Sequence, residues 1–398
     1  MPVLLAALGA LVMSLDSAAN IAFPAMAAAF GVGPSEIRWV IVCYVFAYAV
    51  TSFAAGVAAD RLGPRPVFVT GLGLSALAFA AYPLAAAFPA VLALRVLQGV
   101  GGGLVYGTAP AIITLSTPPE RHGRALGALA FGMGAGLSAG PIVGGVLVGW
   151  GWPWAFAFRA PLALGVGLAA LFLLPRLRGT GRWRLPPRSE WLRWPVLQSL
   201  VLAGMSSWAQ FSVWLLAPFY IVSVLGLPAQ VGGLVFVLGP VGTALGGPFG
   251  GWLSDRFGRR GPMATGLLIE ASGLAALSGS DAATPVVAVG GALFAVGLGI
   301  GVFQVPNLAQ VMASFPAARQ GAAGGLAFMG RTLGTVAGVQ VNASVFGALE
   351  RSWGFVGAFS AALGSSALVC AAAAALAAVP SRSVARREAR PAGPDPGL

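Results

Sequence analysis

The sequence predicts an all-α polytopic membrane protein, twelve transmembrane helices in two pseudo-symmetric six-helix bundles. Three observations predict it: apolar stretches of spanning length follow one another along the chain, arginines alternate between its loops, and one loop signature occurs twice, half a chain apart. Of 398 residues, 58% are hydrophobic and 9% charged, and the mean hydropathy is +0.86. A soluble domain covers itself with roughly a quarter charged residues. This chain cannot, so lipid has to be its solvent.

A membrane-crossing helix takes roughly 20 residues. Stretches of that length fall at 3–25, 37–59, 66–86, 89–115, 124–149, 153–175, 195–223, 229–253, 261–280, 284–313, 321–348 and 354–379. The first carries Asp16 and has no basic leader, so it reads as a retained span rather than a cleaved signal. Between most of the others lie only a few polar or helix-breaking residues. The one long break, 176–194, is rich in Arg, Pro and Trp and divides six spans from six. The expected organisation is therefore an N-terminal bundle over 1–175, a cytoplasmic linker over 176–194, a C-terminal bundle over 195–380 and a basic cytoplasmic tail over 381–398.

Arginine placement sets the orientation, because cytoplasmic loops hold the excess of basic residues. With the N-terminus inside, the inner loops, linker and tail collect Arg61, Arg65, Arg121, Arg124, Arg256, Arg259, Arg260, Arg319 and ten others, against Arg38 and Arg351 outside. Both termini come out cytoplasmic. The net charge of +12, carried by arginine without any lysine, thus serves orientation and does not form a nucleic-acid surface. The composition points to a GC-rich, bacterial genome and so to the bacterial plasma membrane. Cys43 and Cys370 lie in apolar runs and carry no redox information. With one histidine and no acidic cluster, neither a metal nor another cofactor is expected. Without lysine no ATP-binding phosphate loop of the G-x-x-x-x-G-K-[ST] type can be formed.

The repeated loop reads GVAADRLGPR from Gly56 to Arg65, and GWLSDRFGRR from Gly251 to Arg260. Each copy puts an aspartate (Asp60, Asp255) at a helix end beside arginines (Arg61 and Arg65, Arg256 and Arg259) and a glycine at a tight turn. Such a cluster can hold two halves together in one state and release them in another. In span four, Leu94-Arg95-Val-Leu-Gln98-Gly99 places a guanidinium in an apolar run. It either faces a wet cavity or a carboxylate, or snorkels to the surface, since lipid alone would cost several kcal/mol. Span five carries Gly127-x8-Gly136-x3-Gly140-Pro141-x2-Gly144-Gly145. Small residues at helical spacing let backbones approach, and the proline bends the helix.

These segments resemble the major facilitator superfamily over essentially the whole chain. The loop is similar to its G-x-L-A-D-R-x-G-R-K pattern, span four to R-x-x-Q-G, and span five to the glycine–proline signature of its antiporters. Leu15-Asp16-Ser17 with Asn20 and Pro24, Phe303-Gln304-Val-Pro306-Asn307 with Met312, and Arg331-Thr-Leu-Gly334 resemble its multidrug proton antiporters. The resemblance implies a monomeric secondary transporter, not an enzyme. It would exchange small amphipathic or drug-like solutes for protons, with a proton-coupled uptake permease as the alternative.

It also implies that spans one, four, seven and ten line a central cavity. Those spans offer Asp16 and Asn20, four apart; Arg95 and Gln98; Gln210 among Trp208, Phe211 and Trp214; and Gln304, Asn307 and Gln310 at intervals of three. Asp16 is the candidate proton carrier, with Arg95 as its charge partner. That requires contact, yet counting from the membrane faces leaves them roughly one to two turns apart at about 1.5 Å per residue. Glu270 is a buried acid in a peripheral span, Arg159 is expected to snorkel, Arg331 either pairs with an acid or lines the inner gate, and His122 is expected to be solvated.

Overall fold

The computed structural model describes residues 1–32, 34–176, 179, 187–227 and 229–379. Residues 177–178 and 180–186 of the expected linker and all of the expected tail lie outside these residues. The described chain is helical, without strands, as the bilayer requires of an open segment whose every N–H and C=O must be satisfied internally.

Span one is broken: helices Pro2–Ser14 and Ala18–Phe30 meet at a 3₁₀ turn, Leu15–Ser17. Spans two to five are Pro34–Leu62, Pro64–Ala81, Phe88–Ser116 and His122–Leu147, and span six is Arg159–Leu173 after the one-turn helix Trp154–Ala157. Span seven, Trp194–Phe219, runs into a π-turn at Tyr220–Val224. Span eight is Ala229–Phe236 with Leu238–Phe257, span nine Arg260–Ser278 and span ten Val286–Ala313. Spans eleven and twelve, within Gln320–Ala378, are two helices that meet at Gly354, whose φ 67° and ψ 177° are not helical. Among the described residues, nine helices are individually long and apolar enough to cross a bilayer. Spans seven, nine and eleven fall short; among them they carry Gln198, Gln210, Glu270 and Arg331.

The two copies of the repeated loop turn alike. Gly63 at φ 87° and Gly258 at φ 79° each end a helix in a conformation that a side chain would strain.

Phe68, Phe79, Tyr82 and Phe156 anchor the core of the N-terminal bundle, which also takes in Val305, Ala309 and Phe328 from the other half, and Tyr220, Leu274, Leu293 and Phe359 anchor that of the C-terminal bundle. Large apolar side chains such as Phe46, Leu77, Phe172, Leu234 and Leu368 stay exposed, as lipid contact allows.

Between the bundles the contact is made by small residues in two seams. In the first, Gly123 faces Gly251, a Cβ on Gly127 would stand 3.0 Å from Pro248 Cα, and one on Gly134 would stand 2.7 Å from Ala244 Cα. In the second, Gly56 faces Gly321, and Gly325 faces Ser52 and Phe53. Both seams start at the arginine-rich face, where the repeated loops lie. Farther from it, each seam helix turns to its own bundle. Span five packs Gly136, Gly140 and Gly144 on Leu11, Ser17 and Ala18 of span one, and span eleven packs Gly334 and Gly338 on Gly204 and Trp208 of span seven. The bundles therefore close on one another at the arginine-rich face and part toward the opposite one. Of the span-five signature, Gly145 alone faces open space, and Pro141 lies within the helix.

Candidate functional site

The break in span one puts Asp16 on the 3₁₀ turn, its side chain 15% exposed. Asp16 Oδ1 accepts three hydrogen bonds: from Arg95 Nη1 at 2.8 Å, Arg159 Nη1 at 2.9 Å and Gln98 Nε2 at 2.7 Å. Gln98 Oε1 in turn accepts from Tyr82 Oη at 2.9 Å and Arg95 Nη1 at 3.1 Å. Arg95 and Gln98 share one face of span four, three residues apart, so one helix supplies both a charge and the amide that orients it. The guanidiniums are buried among rings: Arg95 lies 5.2 Å from the Tyr44 centroid and 5.0 Å from Phe156, and Arg159 lies 4.1 Å from Phe79. Such cation–π contacts replace part of the lost hydration. Arg95 Nε and Arg159 Nε and Nη2 have no hydrogen-bond partner among the described residues.

Two sequence expectations change here. Arg159 does not snorkel: it is fully buried and forms the second ion pair to Asp16. The distance count between Asp16 and Arg95 misled because the 3₁₀ turn Leu15–Ser17 interrupts span one, and the two groups meet at 2.8 Å. Asn20, expected on the Asp16 face, lies beyond that turn and is exposed.

The other expected cavity residues separate into three groups. Gln210 and Trp214 line a small cavity with Phe236, Thr243 and Gly297, where Trp214 and Phe236 meet edge to face at 5.7 Å. Trp208 and Phe211, on the same helix, are half-buried and lie outside that lining. In span ten, Gln304 Oε1 accepts from Arg331 Nη1 at 3.5 Å. Asn307 and Gln310 are spent on span seven: Asn307 Nδ2 donates to Ser199 O at 3.1 Å, and Gln310 Nε2 donates to Pro195 O at 3.2 Å and Ser199 Oγ at 3.1 Å. Glu270, fully buried, accepts from Ser206 Oγ at 2.8 Å and lies near Cys370, with no ion pair among the described residues.

The repeated loops use their carboxylates in a way arginine content alone does not suggest. Asp60 accepts from the backbone N–H of Gly321 at 2.7 Å and Ala322 at 2.9 Å, at the start of span eleven in the other bundle. Asp255 accepts from Gly123 N at 2.8 Å and Arg124 N at 2.9 Å, at the start of span five. Each thus caps a helix N-terminus, where unpaired donors and the helix dipole favour an anion. Glycine one turn earlier, Gly56 or Gly251, lets the backbones meet. Arg65 bonds the Leu171 carbonyl, Arg256 stacks near Trp252 and Phe257, and Arg259 lies close enough to Asp255 to interact with it. Arg61 is half-buried beside Asp60 in sequence.

The receiving ends are a second repeat that the sequence reading missed. Pro118-x-x-Arg121-His122-Gly123 and Pro316-x-x-Arg319-Gln320-Gly321 stand 198 residues apart (121 to 319). His122 Nε2 bonds the carbonyls of Thr114 and Thr117 at 3.1 and 3.0 Å, so it is engaged rather than solvated. Gln320 Nε2 does the same for Met312 and Phe315 at 2.8 and 2.9 Å.

A helical chain that crosses the membrane repeatedly, in two bundles closed at one face and parted toward the other, with an ion-paired carboxylate at a helix break, has the build of a membrane transporter. The chain belongs to the Major Facilitator Superfamily, whose family model matches residues 5–339. It is 28% identical to the tetracenomycin C resistance and export protein of Streptomyces glaucescens, over 88% of this chain and 78% of that one. It is 24% identical to the multidrug resistance protein Stp of Mycobacterium tuberculosis, over 86% and 74%, and 22% identical to the riboflavin transporter RibZ of Clostridioides difficile, over 85% and 86%. Its fold matches the proton:xylose symporter XylE with a TM-score of 0.76 at 16% identity, over 93% of this chain and 94% of that one. It matches FucP in the outward conformation with 0.74 at 16%, over 94% and 97%.

Proposed function

We propose that this transporter exports small amphipathic or drug-like solutes in exchange for protons, by alternating access, from a bacterial plasma membrane with the arginine-rich face in the cytoplasm. The observation that carries the reading is Asp16: a carboxylate at a helix break, 15% exposed and clamped by two arginines. A proton arriving there would cancel the charge that holds Arg95 and Arg159, loosening span four and span six from span one together. Binding energy placed on a bistable packing of this kind is what converts a local charge change into a movement of bundles. The names of the tetracenomycin and multidrug-resistance relatives favour export. The division into bundles over 1–175 and 195–380, joined by 176–194, belongs to this reading.

The test uses proteoliposomes with an imposed pH gradient and the relatives' named solutes, tetracenomycin C and riboflavin, as first probes. Asp16→Asn should abolish gradient-driven accumulation while exchange of labelled for unlabelled solute continues, with Asp16→Glu as the charge-keeping control. Gradient-driven transport that persists in Asp16→Asn removes Asp16 as the coupling group, and solute movement without counter-movement of protons removes antiport.

A further inference from the structure

Midway along the spans, away from the capping Asp60 and Asp255, the charges do not balance. Among the described residues, Asp16 is the one carboxylate that the guanidiniums of this region reach, against Arg95, Arg159 and Arg331. Asp16 satisfies the first two. Arg331, midway along the part of Gln320–Ala378 that precedes Gly354, forms no ion pair among the described residues, and its hydrogen bond to Gln304 is long, at 3.5 Å. It is half-buried, as are Gln304, Tyr44 and Tyr48, so this end of the site is reachable. Glu270 does not answer it: that acid is fully buried on span nine against Ser206 and near Cys370. An arginine at mid-span cannot discharge itself and is costly in lipid unless water or an anion meets it.

Rings connect the two charged ends. Arg95 lies over Tyr44; Tyr44 stacks on Tyr48 at 6.2 Å; Tyr48 meets Tyr106 edge-on at 5.4 Å; Tyr106 lies 5.5 Å from Phe328, one turn before Arg331. Arg331 is within electrostatic reach of Tyr48 and Tyr106, across the junction between bundles. An aromatic wall ending in an unmatched guanidinium and an amide suits a planar ring bearing a negative group. The ring gains area and stacking on the tyrosines, and a carboxylate fits the guanidinium fork with two parallel hydrogen bonds.

We propose that the solute is an aromatic carboxylate, its anionic end on Arg331 and Gln304 and its ring against Tyr44 and Tyr48. This rests on the transport reading and narrows it. It differs from a general drug cavity in favouring charge: a neutral isostere should bind more weakly. Anion exit would also be assisted by an inside-negative membrane potential.

Equilibrium binding to the full chain in lipid nanodiscs tests it, by calorimetry with 2-naphthoate and its neutral amide, 2-naphthamide. The carboxylate should bind about tenfold or more tightly than the amide. Arg331→Gln should bring the two to parity without weakening the amide, and Arg331→Lys should keep most of the preference. Equal affinities in the unaltered chain overturn the proposal, as does a preference that survives Arg331→Gln, or the failure of the carboxylate to bind. Should Arg331→Gln not fold, the unaltered chain and Arg331→Lys still decide. A carboxylate preference in a chain whose vesicles move no solute keeps the site and removes the transport reading.

Discussion

Asp16 holds two guanidiniums through a single oxygen, so at the residue scale the three side chains are one unit rather than two pairs. Removing one partner of a buried ion pair leaves an uncompensated charge and costs about 3–5 kcal/mol. Asp16→Asn strands two such charges, whereas Arg159→Gln strands none, because Asp16 keeps Arg95 and Gln98. The double variant should therefore lose less stability than the sum of the singles, by about 1–3 kcal/mol, in unfolding of the detergent-solubilised protein. Additivity within about 0.5 kcal/mol would mean that Arg159 does not share the carboxylate. Half of this unit was legible in sequence. Arg95 announced itself by sitting in an apolar run, and the same logic applied to Arg159 would have made it a candidate. What hid it was position: near a span end, snorkelling is the cheaper reading, and only the folded bundle shows Phe79 and Phe156 closing that route.

At the scale of elements, the repeated G-x-x-x-D-R-x-G loop was visible as a pattern, but its partner was not. The donors that Asp60 reaches are 261 and 262 residues away, and they are backbone N–H groups, which no side-chain pattern marks. The arginines around the aspartates suggested a charge cluster; the fold keeps Arg124 and Arg259 beside Asp255 and also uses the carboxylates as caps across the bundle junction. A cap of this type contributes about 0.5–2 kcal/mol, and here that energy favours the state closed at the arginine-rich face. Asp60→Ala and Asp255→Ala should each shift the equilibrium toward opening there, several-fold by the same energy. The two together should act additively, since they sit on opposite seams. A cysteine placed on the chamber side of Ser52 or Ala244 and labelled from the arginine-rich face reads the shift. Unchanged labelling in the double variant would show that the caps bear on folding alone.

For the whole molecule, twelve spans, their boundaries and the symmetry between halves followed from hydropathy and loop signatures, because lipid leaves helices as the one open solution. The state of the molecule did not follow, since which glycine meets which is a property of the packed bundles. Pro110 of span four and Gly324 of span eleven meet across the junction, with Pro110 Cβ 3.4 Å from where a Cβ on Gly324 would stand. That separation is close to the roughly 3.5–4.5 Å a disulfide spans. Pro110→Cys with Gly324→Cys should therefore cross-link under mild oxidation and tie span four to span eleven in the closed arrangement. If solute crosses by rocking of one bundle on the other, the oxidised protein should lose transport by at least about tenfold, and reductant should restore it, while each single-cysteine variant stays active. The restoration separates a locked cycle from a damaged fold. Full transport in protein shown by gel mobility to be cross-linked would mean that spans four and eleven stay together through the cycle, and the opening would then have to be sought along the span five and span eight seam.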